Sequence, residues 1–220
     1  FEGMLVQVLR PFVESAGHET FSQPFRPNPS TSSAAAFFSV GEPLARFGED
    51  HDAQTLTILD NRGAFLRVAP LAARATPFPG AELERLVRRY PLDAFARQRR
   101  HRAAVNAYGA ASVDWTDAED KVLTSCTQVF RNGEIWGFAS WPLMHNQFGR
   151  IIPLEGLRTA VARALLDYLT FAENDLKLLP PFLVTAGISG ANGYKLAIGQ
   201  DQDFWLGPIR DDEVVWQARV

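Results

Sequence analysis

The chain has 220 residues, enough for one large domain or two small ones and for a sizeable buried core. Hydrophobic residues make up 46% and charged residues 21%, as in ordinary globular chains, and a formal charge of −3 argues against a surface built as a whole to hold polyanions. The single cysteine, Cys126, excludes an intrachain disulfide and a cysteine-based zinc cage, and points to a cytoplasmic setting.

No stretch approaches the roughly 20 apolar residues of a membrane helix, so no membrane partner is expected. The N-terminus, Phe1-Glu2-Gly3-Met4-Leu5, has neither an initiator methionine nor the basic region of a signal peptide. Met4 to Leu9 enters an apolar element almost at once. That reads as a domain excised from a larger protein, with an upstream domain of the same polypeptide as its first partner. Residues 14 to 33 turn polar, with Pro24, Pro27, Pro29 and a Ser-Thr-Ser-Ser run, and read as a linker or long loop. The expected organisation is an N-terminal element and linker over 1–33 and a single domain over 34–220.

Ala35 to Val40 has strand character, and Pro43 to Phe47 suggests one helical turn. Thr55 to Leu59 predicts a strand, and Asp60 to Gly63 a turn. Ala64 to Ala69 follows as the hairpin partner. After Pro79-Gly80, Leu83, Leu86, Val87 and Tyr90 fall on one face of a helix, with Glu84 and Arg88 spaced for an ion pair. Pro91 ends or kinks it. Leu92 to Tyr108, rich in alanine and arginine, predicts a second helix, giving a helical pair over about 81–108.

Next the period changes to two. Val122 to Phe130 and Ile135 to Trp141 flank Asn132-Gly133, a type I′ hairpin signal. A two-residue loop predicts Arg131 opposite Glu134, Phe130 opposite Ile135, Val129 opposite Trp136 and Thr127 opposite Phe138. Large apolar groups on both faces place this hairpin centrally in the sheet. Leu154 to Ala172 is the longest predicted helix, with Leu157, Val161, Ala164, Leu165, Tyr168, Leu169 and Ala172 as its apolar stripe. Asn174 helps end it, and Pro180-Pro181 forces an extended restart. Phe182 to Ile188 and Tyr194 to Ile198 predict strands joined by a hairpin turn. Phe204 to Ile209 and Val214 to Ala218 close the sheet. No βαβ repeat is present, so the expected class is α+β, with a largely antiparallel or mixed sheet, one long packed helix over about 154–172 and the helical pair.

The chemistry-bearing residues form no recognised constellation. Gly187 to Gly193 holds three glycines but neither GxGxxG nor GxxxxGK[ST], and strand rather than helix follows it. His18, His51, His101 and His145 form no metal-ligand spacing, although Asp50 and Asp52 flank His51. Ser125 and Cys126 lie inside a predicted strand without a nucleophile elbow, so Cys126 reads as a buried, inert thiol. Asp114, Asp117, Glu119 and Asp120 read as a solvated acidic turn. Trp115, Trp136, Trp141, Trp205 and Trp216 read as core or sheet-edge residues, with Trp115 and Trp141 placed where rings line clefts. No catalytic, cofactor-binding or metal-ligating residue is assigned, and no cofactor is implied.

Arg85, Arg88, Arg89, Arg97, Arg99, Arg100 and Arg102 face only Glu82, Glu84 and Asp93 in their segment. Arginines spread around a helix read as a solvated surface, a docking face for the upstream domain or a second subunit, or a contact for a nucleic-acid backbone. The segment lacks the interleaved aromatics of a single-strand platform, and nucleic acid is not an expected partner of this domain alone.

Two stretches carry a resemblance. Leu59 to Pro70 ends Gly63-Ala64-Phe65-Leu66-Arg67-Val68-Ala69-Pro70, and Pro181 to Gly199 contains Ala186-Gly187-Ile188-Ser189-Gly190-Ala191-Asn192-Gly193-Tyr194. Together they resemble the region that follows the AlbA-like, Schlafen-type DNA-binding domain of some bacterial proteins. The resemblance implies that nucleic-acid chemistry belongs to that upstream domain, as in a transcriptional regulator. This chain would then be a non-catalytic regulatory, ligand-sensing or partner-binding domain, with a small molecule or a second copy as partner. The alternatives are a hydrolase using dispersed acids or a histidine, and a module for homodimerisation.

Overall fold

The computed structural model describes residues 43–46, 55–57, 62–72, 76–90, 92, 102–106, 109–115, 123–143, 149–198, 204–205 and 207–220. The described elements are strands β1 (Pro43–Arg46), β2 (Thr55–Thr57) and β3 (Gly63–Pro70), helix α1 (Gly80–Arg89), and strands β4 (Arg102–Asn106), β5 (Gly109–Trp115), β6 (Leu123–Phe130) and β7 (Ile135–Ala139). A 3₁₀ turn, Trp141–Leu143, leads to β8 (Ile151–Pro153) and α2 (Leu154–Asn174). Strands β9 (Phe182–Ser189), β10 (Lys195–Ile198), β11 (Phe204–Trp205) and β12 (Glu213–Arg219) follow.

Nine of the described strands form one sheet in the order β12-β9-β3-β7-β6-β5-β4-β1-β2, with every neighbouring pair antiparallel. A second sheet, β11-β10-β8, includes one parallel pair, β10 with β8. The protein is α+β, with a mixed strand set and two described helices.

Alternation along the strands separates two faces of the large sheet. Leu66, Val68, Ile135 and Val129 share the helix-bearing face, and all are buried. Helix α1 packs on β4 and β5 through Leu83, Leu86 and Val87. Its Glu84 and Arg88 make the expected ion pair on the exposed side, at 2.7 Å. Helix α2 packs on β3 and against β8 and β10, so one apolar cluster joins both sheets. Of the expected stripe, Leu157, Val161, Ala164, Leu165, Tyr168 and Ala172 are buried, and Leu169 lies partly buried against the same core. The fully buried Tyr168 anchors α2 to the sheet. Its hydroxyl lies 2.8 Å from Thr127 Oγ1, and its ring occupies the space that a side chain at position 137 would need.

The hairpin β6–β7 is central, as its two-faced apolarity predicts. Its register differs by one residue from that expectation. Val129 pairs with Ile135, Gln128 with Trp136, Thr127 with Gly137 and Cys126 with Phe138. The loop has three residues, Arg131-Asn132-Gly133, closed by Gly133 N–H to Phe130 O and Phe130 N–H to Glu134 O. Only Gly133, at φ +92°, takes the left-handed conformation, whereas a type I′ turn needs it at Asn132 too. Asn132 Oδ1 instead accepts the Glu134 N–H, which favours the longer loop.

Other differences have a common cause, long-range pairing overriding local signals. Pro43–Arg46 is a strand, not a helical turn, because β2 and β4 supply hydrogen-bonding partners that a lone turn lacks. Arg102–Asn106, the end of the expected second helix, pairs with β5, and residues 93–101 lie outside the described ones. Helix propensities differ by under about 1 kcal/mol per residue, so a ladder between two strands outweighs an alanine-rich composition. Strands β2 and β3 are not a hairpin: β2 pairs with β1 and β3 lies between β7 and β9. Likewise β9 and β10 belong to different sheets. The loop between them passes from one sheet to the other, its Asn192 Nδ2 donating to Arg210 O and its Ala191 N–H to Asp212 O. Strands β11 and β12 also separate, into the small and large sheet respectively. The expected elements Met4 to Leu9 and Ala35 to Val40 and the linker over 14 to 33 lie outside the described residues.

Candidate functional site

Among the described residues, the most concentrated polar chemistry lies on the sheet face opposite the helices. In β3, Arg67 stands between Leu66 and Val68, whose side chains enter the core under the helices, so period two turns Arg67 to the other side. The same row holds Thr185 on β9, Trp136 on β7 and Gln128 on β6. Glu134, two residues before Trp136, shares that face.

Arg67 and Glu134 form a buried ion pair, each under a tenth exposed. Arg67 Nε donates to Glu134 Oε2 at 2.9 Å, and Arg67 Nη2 approaches the same oxygen at 2.8 Å. Trp136 Nε1 donates to Oε2 at 3.2 Å, and Asn132 Nδ2 donates to Oε1 at 2.9 Å. The Arg67 guanidinium also lies over the Trp136 ring, 5.2 Å from its centroid. Both carboxylate oxygens are therefore engaged by donors from three elements. Beside them, Gln128 Nε2 donates to Val129 O, and Thr185 Oγ1 accepts from Gln217 Nε2 on β12. Such a cluster fixes strands β3 and β7 and the hairpin loop in one arrangement. Each oxygen of Glu134 already accepts from a protein donor.

The expected partner of Glu134 was Arg131. The three-residue loop separates them: Arg131 is exposed and its Nε donates to Phe78 O at 3.1 Å. Arg67 was not singled out in the sequence. Its signal was a charged residue inside the apolar run Gly63 to Pro70, a position that requires a buried counter-charge.

Ser125 and Cys126 lie in a strand, as expected, and both are buried. Burial pushes the Cys126 thiol up to about 12, far from a thiolate nucleophile. On the helix face, Ser112 Oγ is buried without a hydrogen-bond partner, across the ladder from Thr127. Asp114 lies in β5 opposite Ser125, whereas Asp117, Glu119 and Asp120 lie outside the described residues, as do all four histidines and Asp50 and Asp52. Among the described residues no group of three or more His, Cys, Asp or Glu is placed to hold a metal ion. Trp136 is buried, and Trp141 and Trp216 pack partly buried against the core. Only the backbone of Trp115 and Trp205 is described. The glycine loop after β9 bends at Gly190 (φ +72°) and Gly193 (φ +78°) and leads into β10.

No described helix is long and apolar enough to cross a membrane. The two stretches Leu59 to Pro70 and Pro181 to Gly199 contribute the adjacent strands β3 and β9. No protein-family model, curated protein or solved structure matches the chain.

Proposed function

We propose that this chain acts by binding rather than by catalysis, as a regulatory or partner-binding domain working in the bacterial cytoplasm. The observation that carries this reading is the closed polar cluster. Among the described residues, the most concentrated acid, base and aromatic groups satisfy one another: Glu134 is held by Arg67, Trp136 and Asn132. The Cys126 thiol, pushed up to about 12, is likewise unsuited to nucleophilic attack near neutral pH. A catalytic acid needs an oxygen free to meet the substrate, and a hydrolase needs a poised base. The resemblance to the region after the AlbA-like, Schlafen-type domain supports the same reading, with nucleic-acid contact assigned to that neighbour.

The test is a panel of chromogenic esters, phosphoesters and glycosides offered to the purified chain, with Glu134→Gln and Ser125→Ala alongside. No turnover above buffer is expected. Turnover lost in either variant while its circular dichroism matches the parent would replace the binding reading with a hydrolase.

A further inference from the structure

Strand β12 ends the large sheet, and among the described residues no strand lies beyond it. Its outer edge can be resolved residue by residue. Phe182 and Val220 exchange both backbone hydrogen bonds, at 2.7 and 3.0 Å. In an antiparallel ladder such pairs alternate with pairs that exchange none. The β12–β9 register runs from Arg219 opposite Leu183 to Glu213 opposite Ser189. Glu213, Val215, Gln217 and Arg219 therefore turn their N–H and C=O groups away from β9, toward the outer edge.

Single chains commonly blunt such edges with proline, inward charges or shortness. The opposite edge, β2, is only three residues long. Strand β12 has seven residues and no proline, and its charges sit only at its ends, Glu213 and Arg219. The middle, Val214-Val215-Trp216-Gln217-Ala218, is uncharged. Val215, Trp216 and Ala218 are partly exposed.

We propose that β12 is the seam of a two-fold homodimer, pairing antiparallel with β12 of a second copy about Trp216. This rests on the binding reading and names its partner. The register is the one that satisfies both backbone and charge. Centred on Trp216, it sets Glu213 opposite Arg219 and Val215 opposite Gln217, so each outward peptide group meets another outward group. A shift of one residue would set outward groups against inward ones. A shift of two would part the charges, and a parallel arrangement would set glutamate beside glutamate. The two Trp216 rings meet at a position that exchanges no backbone hydrogen bonds, where side chains across a ladder come closest. A self-complementary strand of this kind suits a second copy, because a two-fold interface uses the same patch twice. Burial and the charge of Asp212 already hold the Glu213 carboxyl above its usual value. An arriving Arg219 guanidinium opposes both effects.

The experiment is light scattering of the whole chain across a concentration series, with amide hydrogen exchange on the same samples. The parent is expected to dimerise, and the Val215 and Gln217 amides to gain protection as the dimer forms. Arg219→Glu, at an exposed position, sets like charges together at both ends of the seam and should weaken the dimer roughly tenfold or more. Restoration in the double variant Glu213→Arg, Arg219→Glu supports the register. A parent that stays monomeric, or a dimer that Arg219→Glu leaves untouched, overturns the proposal. So do Val215 and Gln217 amides that exchange fast at every concentration. The chromogenic panel reads turnover separately, so failure of the seam is told apart from failure of the binding reading.

Discussion

Cys126 sits on β6 opposite Phe138, buried, with its thiol pushed up to about 12. The folded protein holds that proton more tightly than an unfolded chain, where a thiol titrates at about 8.5. At neutral pH the thiol is protonated in both states, so the shift adds nothing to stability there. Above the unfolded value stability falls as pH rises toward the folded one. A thiol-specific reagent at mildly alkaline pH should thus react at the rate of unfolding, and rapid labelling of the native protein would contradict the burial. Ser112 offers a second residue-scale test. Its unpartnered, buried hydroxyl costs about 1–3 kcal/mol of desolvation without return. Ser112→Ala should leave stability unchanged or raise it by about 1 kcal/mol, read from the denaturant midpoint. A clear loss would reveal a partner for the hydroxyl.

At the scale of elements, the β6–β7 loop and helix α2 show how local signals acquire tertiary consequences. Asn132-Gly133 marks a turn in the sequence, but the choice between two and three loop residues depended on the Asn132 and Glu134 side chains. Gly133 is also enclosed: a Cβ there would sit 2.9 Å from a Leu178 methyl carbon, in addition to the strain at φ +92°. Gly133→Val should destabilise by roughly 2 kcal/mol or more, and a thermal midpoint equal to the parent's would argue against this loop. In α2, Leu165 is buried at the centre of the apolar stripe. Leu165→Ala should cost about 2–5 kcal/mol in chemical denaturation. The apolar spacing alone makes this helix legible. That Tyr168 would stand over Gly137 and meet Thr127 was not legible, since those residues lie on different elements far apart in the chain.

For the whole molecule, the Arg67–Glu134 pair joins strand β3 to the hairpin from opposite sides of a long sequence separation. Removing one member leaves the other charged and buried, so Glu134→Ala or Arg67→Ala should each cost about 3–5 kcal/mol. Replacing both with apolar residues of similar volume should recover much of that loss, and equal single and double losses would show that the pair is not coupled. The sequence by itself determined the α+β class, the long helix α2, the ion-paired helix α1, the central position of the β6–β7 hairpin and the buried thiol. Each follows from periodicity or composition within one short window, where a residue's neighbours in sequence are also its neighbours in space. Tertiary structure alone decided that β3 lies between β7 and β9, that β9 and β10 part into two sheets, and that the alanine- and arginine-rich segment ends in a strand. It also decided that Glu134 answers Arg67 rather than Arg131. In each of these the deciding energy is a hydrogen-bonded ladder or a buried counter-charge supplied by a distant segment, and no local window contains it.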